Sequence, residues 1–342
     1  MTDVVTTRTT RSAAIDVARG VVILGVVLNH TVDGLLAAGA LPDDGALAEV
    51  NRLLYLFRMP ALVLLVGLFV PSGVARSGVG GYVLRRARLL LWLYLVWFVV
   101  QTLAELATSG VRNGSGSASD LLRVWVPPAH LWFLPFLAVA TAVVAPTVVA
   151  RRRLPWTVAL VVVGVALWGV NANVVGVRGL CLVGFLALGA ALGLPRLARL
   201  LDARPSALVV AAVLAGGLFL VVATSAPTVP ATMSEPAGLA TRVVSAVAAT
   251  LGVVAVLALA ALAARVGVLR RPLQHVGGRT LEIYLAHVVV VAGVRIVLTR
   301  LDVPVPVTVV ACVVAGVAVP LLLATACRRA GVRFLFETPH RP

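Results

Sequence analysis

Lysine is absent from this chain. All 29 basic positions are arginine, set against only 13 acidic residues, and charged residues make up just 12% of the whole. The resulting net charge of +16 does not mark a nucleic-acid binder, because most of the arginines fall in short tracts between apolar runs. That is the pattern of topology signals and of contacts with anionic lipid. Cysteine is scarce too: Cys181, Cys312 and Cys327 lie far apart, in or at the ends of apolar runs. An odd count without ligand spacing excludes a disulfide framework and gives no metal site. The three read as packing residues. Also missing are the alternating pattern of barrel strands, any internal repeat, and a Gly-rich loop placed between a strand and a helix. The run Gly78-Val79-Gly80-Gly81 is a turn signal and not a phosphate loop.

Apolar surface is what the chain has in abundance. It is 61% hydrophobic with a mean hydropathy of +1.05, where a soluble domain carries roughly 45–50% apolar residues. Runs near twenty residues recur from end to end, each long enough to cross the hydrocarbon layer as a helix. The fold class expected is all-α: a polytopic membrane protein of about ten transmembrane helices. They fall near 14–34, 53–71, 84–107, 131–150, 156–174, 179–194, 206–225, 243–264, 280–299 and 304–326. The whole chain, 1–342, reads as one integral-membrane domain with tails at about 1–13 and 327–342 and no soluble domain appended. No cleavage signature follows the first apolar run, so the first helix is expected to be retained as a signal anchor.

The connecting arginines test that count. Arg8 and Arg11 precede the first helix, and Arg76, Arg85, Arg86 and Arg88 follow the second. Arg151 to Arg153, then Arg196, Arg199 and Arg204, then Arg265, Arg270, Arg271 and Arg279, and finally Arg328, Arg329, Arg333 and Arg341 fall in every second connection. The alternate connections are poorer in arginine, and the longest of them include a Gly/Ser-rich tip near 108–120 that reads as flexible. A consistent bias of this kind puts both termini in the cytoplasm.

The first helix carries ionisable groups at bilayer depth, which is costly and usually means a protein interior or wet cavity. Arg19 and His30 are eleven residues apart, about three turns, so they share a face and are separated by roughly 16 Å along the axis. Asp16 and Asp33 stay near the same stripe. A histidine there suits proton transfer at neutral pH, or it hydrogen-bonds a neighbouring helix. Arg19 either works in a site or pairs with Asp16 and snorkels to the interface.

Four stretches in order carry a resemblance. Ile15-Asp16-Val17-Ala18-Arg19-Gly20, with ten residues between Arg19 and His30, resembles the opening helix of the integral-membrane acyltransferase 3 family. Leu56-Phe57-Arg58-Met59-Pro60 and the later Gly67 are similar to its Phe-His-Met-Pro segment and Ser-Gly pair, with Arg58 in place of histidine and Val66 in place of serine. Leu131-Trp132-Phe133-Leu134 resembles its Leu-Trp-Phe-Leu element. Gly278 to His287 resembles its late Ser-x-x-Ile-Tyr-Leu-x-His element, with Thr280 for serine, and Arg85 to Tyr94 is similar to its arginine-rich start of the third helix without the usual proline.

The resemblance implies an O-acyltransferase of the bacterial cytoplasmic membrane. It would move an acyl group, acetyl in the simplest case, from cytoplasmic acyl-CoA to a hydroxyl of a carbohydrate or glycosylated acceptor at the outer face. Acyl-CoA is then a co-substrate and no cofactor is tightly bound. His30 is expected as general base with Arg19 beside the donor. Arg85, Arg86 and above all Arg88 are candidates for the polyanionic coenzyme, or simply positive-inside anchors. Thr280, Tyr284 and His287 share a helical face and either line the channel or bond across helices. Glu105, one turn from Gln101, faces an acceptor pocket or caps an interface. Trp132 is an interfacial anchor or a sugar platform, and Glu282 is placed to pair with Arg279. The rival reading is a proton-coupled transporter or flippase using the Arg19/His30 stripe, which would need paired broken helices in two related halves. A non-enzymatic membrane scaffold would not need the ionisable stripe at all.

Overall fold

A computed structural model of the chain describes residues 12–108 and 117–339. It is an all-α polytopic membrane protein, with no strand among the described residues. Its helices are α1 (Ala13–Ala37), α2 (Ala46–Gly67), α3 (Val70–Ala107), α4 (Phe133–Val144), α5 (Arg153–Ala166) and α6 (Val183–Leu201). They continue with α7 (Pro205–Ser225), α8 (Leu239–Ala263), α9 (Gly267–Gly277), α10 (Thr280–Arg300) and α11 (Val305–Arg329). Eight are long and apolar enough to cross a membrane, and α4, extended by a 3₁₀ turn to Val148, and α5 are shorter apolar helices. Those ten match the ten expected runs. The arginines at 8, 11, 112 and 341 and most of the Gly/Ser tip lie outside the described residues.

α1 is the pillar. It packs against α2, α8, α9, α10 and α11 and buries Ile15, Val17, Val22, Ile23, Val26 and Val27. Glycines set the closest crossings. A methyl group on Gly67 or Gly189 would run into the backbone of the partner helix, so α2 and α6 touch nearly backbone to backbone. Gly20 and Gly277 do the same for α1 and α9. Lipid is as apolar as leucine and gives helices little hydrophobic reason to associate, so such close packing is a principal source of cohesion. α7 and α11 form the periphery and turn Val213, Leu214, Val310 and Leu322 outward.

The structure corrects several boundaries. The second helix begins at Ala46, and the third begins at Val70. α3 is broken at Gly78, whose φ of +67° belongs to a conformation that glycine reaches without a Cβ penalty. α6 breaks in the same way at Gly193, two residues before Pro195. The fifth helix stops at Ala166, and the predicted stretch to 174 is instead an irregular segment with Trp168 and Asn171 buried. Its polar groups are met by the connection after α7: Trp168 Nε1 donates to the Val229 carbonyl at 2.8 Å, and Asn171 Nδ2 to those of Ala231 and Met233 at 2.8 and 2.9 Å. Val175 N donates in turn to the Trp125 carbonyl at 3.0 Å. Three connections on one face are thus knitted into a layer over the bundle.

On the opposite, arginine-rich face lies α9, which was not foreseen. Its Val268, Leu269, Arg270 and Arg271 are exposed. The residues after α11, within the stretch expected as a tail, dock on α3. Trp92 and Trp97 donate their indole N–H groups to the carbonyls of Phe334 and Leu335 at 2.9 and 2.7 Å, and the buried Phe336 ring sits against Trp97.

Candidate active site

Three histidines meet near the middle of the bundle. His30 comes from α1, His287 from α10, and His130 from the turn just before α4. Ring centroids are 5.1 Å apart for His30–His287, 5.8 Å for His30–His130 and 4.8 Å for His130–His287. His130 and His287 are buried and His30 is half-buried. His287 Nδ1 donates to the carbonyls of Tyr284 and Ile283 at 2.8 and 3.0 Å, which fixes its tautomer and leaves Nε2 as an acceptor. That Nε2 has no partner, and neither ring nitrogen of His130 has one. Buried polar atoms left unpaired cost about 1–3 kcal/mol each, so the cluster is built for polar groups that arrive from elsewhere. Among the described residues no group of histidine, cysteine and carboxylate side chains has the geometry of a metal site.

His130 was not singled out from sequence. It stands directly before the Leu-Trp-Phe-Leu element, and it is held there by Tyr284, whose hydroxyl donates to its backbone carbonyl. Trp132 is neither at the lipid interface nor open to a ligand. It is buried against Gly179, where a Cβ would strike its ring, and the Arg178 guanidinium lies 5.6 Å from that ring. Burial lowers the pKa of Arg178, with Tyr55 and Tyr284 opposing.

Towards the arginine-rich face a cleft leads away from this cluster. Arg19 Nη2 donates to Thr280 Oγ1 at 2.8 Å, Arg19 Nη1 lies 3.6 Å from Asp16, and the guanidinium stands 5.9 Å from the Phe69 ring. So Arg19 keeps the Asp16 pairing but does not snorkel away. It lines two adjoining cavities of about 290 and 210 Å³ that share Leu62, Val66, Arg86 and Thr280. The first is rimmed by Arg76 and Tyr82; the second reaches Phe133 and Tyr284. Arg86 Nε is buried there without a partner. Arg85 and Arg88 are exposed and line neither cavity, and Arg85 donates to Ser77 Oγ instead. Arg86 lines the cleft with Arg76, whereas Arg88, the favoured candidate, is exposed outside it.

On the other side of the histidines, Arg58 is buried with its guanidinium 3.9 Å from the Tyr55 ring. Asn51 joins it to α1: its carbonyl receives Arg58 at 3.4 Å and Asn29 at 3.1 Å, and its amide donates to Asp33 at 2.8 Å. Asn29 completes the ring with a 2.8 Å bond to Asp33. Glu105 accepts from Gln101 at 3.1 Å and lines a separate cavity with it. Glu282 pairs with Arg328 at 3.5 Å, while Arg279 turns to His275.

A charged pocket, a buried imidazole cluster and a polar network are thus strung along α1, with the two ends of the chain's ionisable stripe on opposite sides of the cluster. The family model for the acyltransferase domain matches residues 12–325, from the start of α1 into the last turns of α11. No curated protein and no solved structure matches the chain. With nearly its whole length covered, this chain belongs to the acyltransferase 3 family and is a membrane acyltransferase.

Proposed function

We propose that this protein transfers an acyl group, acetyl in the simplest case, from acyl-CoA to a hydroxyl on a carbohydrate or glycosylated acceptor. The donor enters from the arginine-rich face, which the positive-inside bias makes the cytoplasmic side of a bacterial inner membrane, and the acceptor meets it from the opposite face. One observation carries the reading. The cleft bearing Arg76, Arg86 and Arg19 ends at Tyr284, the residue that holds His130 beside His30. Arg76 and Arg86 suit the coenzyme's phosphates, and the apolar walls from Leu62 to Leu137 suit its narrow pantetheine arm.

At the cluster His30 takes the proton of the acceptor hydroxyl as its oxygen bonds to the thioester carbonyl carbon. The unpartnered His130 ring offers an N–H to the oxyanion, a role that depends on charge developing there. The C–S bond then breaks, the acyl ester leaves on the acceptor, and His30 returns the proton to the coenzyme A thiolate. Arg19, anchored by Thr280 and Asp16, positions the donor part-way along the cleft.

The test is thiol release from acetyl-CoA by the purified protein, with His30→Ala beside wild type. Loss of a general base lowers turnover about 10²–10⁴-fold while the variant stays inserted with unchanged thermal unfolding. Near-normal turnover in His30→Ala sinks the base assignment. Solute flux across sealed vesicles without thiol release would favour the transporter.

A further inference from the structure

A second polar cavity, of about 300 Å³, opens between α3 and α10 on the far side of the histidines from the donor cleft. Gln101 and Glu105 of α3 and Thr108 just after it line this cavity with Arg295 of α10, and its lining includes Ala129, the neighbour of His130. Arg295 is only 7% exposed and has no hydrogen bond or ion pair among the described residues. It lies against Gly34, one turn beyond His30, where any side chain would displace it. Gln101 is 3% exposed, and its Oε1 is buried without a donor. The cavity therefore presents a buried cation without an ion pair, although the Glu105 carboxylate lines the same space, and a buried acceptor lacking a donor. Neither is the ordinary state of such groups inside a protein.

The mouth of the cavity faces lipid. Val288, Val289, Ala292 and Ile296 line it half-buried, Gly293 is exposed with nothing near its Cβ position, and Leu103 and Val297 are exposed on either side. Arg295 lies five residues before the end of α10 and Gln101 six before the end of α3, so both sit roughly 7–9 Å inside the helix ends. That is inside the hydrocarbon layer and below the headgroups, so a group meeting Arg295 must be drawn in through the lipid-facing mouth.

We propose that this cavity is the acceptor subsite, and that the acceptor is a membrane-borne saccharide carrying an acidic group. Its phosphate accepts from Arg295, its sugar hydroxyls donate to Gln101 Oε1 and Glu105, and its lipid chain leaves between α3 and α10 into the bilayer. The sugar then lies over Ala129, within reach of His30. This inference rests on the acyltransfer reading for the direction of attack, but the binding it asserts is separable from it.

The experiment uses the full chain in nanodiscs and three probes: glucosyl phosphate esterified to a long-chain isoprenoid, free glucose 1-phosphate, and an uncharged isoprenyl glucoside. Wild type binds the first more tightly than either of the others. Arg295→Gln weakens it about ten- to hundredfold, the worth of a charge-assisted hydrogen bond, and Arg295→Lys restores part of the loss. Gly293→Phe, a plug at the open mouth, weakens binding without touching a polar group. Acetyl-CoA binding, measured on the same preparations, reports that each variant is folded and stays unchanged. Equal binding of free glucose 1-phosphate, equal binding of the uncharged glucoside, or indifference to both Arg295→Gln and Gly293→Phe overturns the proposal. Failure of wild type to bind acetyl-CoA while these effects hold overturns the donor reading and leaves the subsite standing.

Discussion

Thr280→Val is a nearly isosteric change that removes one hydroxyl and, with it, the 2.8 Å bond that the hydroxyl accepts from Arg19. Thr280 is buried, so water does not take over the lost contact. A hydrogen bond to a charged group is worth about 1.5–3 kcal/mol. Arg19 keeps Asp16 at 3.6 Å and its side chain is 24% exposed, so screening trims the effect to the lower end, about 1–2 kcal/mol. If Arg19 holds the donor, that energy appears as a roughly five- to thirtyfold weakening of acetyl-CoA. The assay is thiol release against acetyl-CoA concentration, which separates KM from kcat. The variant raises KM with kcat changed less, and Thr280→Ser, which keeps the acceptor oxygen, stays near wild type. A Thr280→Val enzyme with wild-type KM would refute the claim that Arg19 is positioned through this bond to serve the donor.

Arg86→Gln raises the KM for acetyl-CoA at least about tenfold, whereas Arg88→Gln changes it less than about twofold, because only Arg86 lines the cleft; equal effects would show that the arginines act as a diffuse cationic surface. Gly277→Ala drives a methyl group into the Asp16 carbonyl and costs about 1–3 kcal/mol by overpacking, while Gly25→Ala, in the interior of α1 with nothing for its new methyl to meet, does not destabilise and gains up to about 1 kcal/mol from helix propensity. Thermal unfolding in detergent distinguishes them, and coincident midpoints would show that α9 is loosely held.

The helices were legible because a bilayer demands long apolar runs, and the stripe on α1 because charge in lipid is costly enough to need a reason. Apolarity does not by itself distinguish a spanning helix from a buried loop. That is why the fifth run overshot Ala166 into a segment whose Trp168 and Asn171 find their partners some sixty residues away. α9 was hidden for the converse reason: Arg270, Arg271 and Pro272 made it look like a connection, although Val268, Leu269, Leu273 and Val276 keep helical spacing. Arg86 could not be chosen over Arg88 without knowing that the face opposite Arg19 is the one 86 occupies. His130 and Arg295 had weaker signals still, a histidine before a helix and an arginine near the end of one, and only the packing of α1 against α10 makes either informative.

The backbone contact between α1 and α9 also bears on how the protein answers to membrane thickness. α9 offers Val268 and Leu269 beside Arg270 and Arg271, the makings of a helix that lies at the lipid–water boundary. Gly20 and Gly277 join it to α1 without intervening side chains, so the depth of Arg19 below the cytoplasmic headgroups is set by protein geometry. A thinner or thicker bilayer then cannot shift that level, and the mismatch must be absorbed at the other leaflet, where it moves the headgroups relative to Arg295 and not to Arg19.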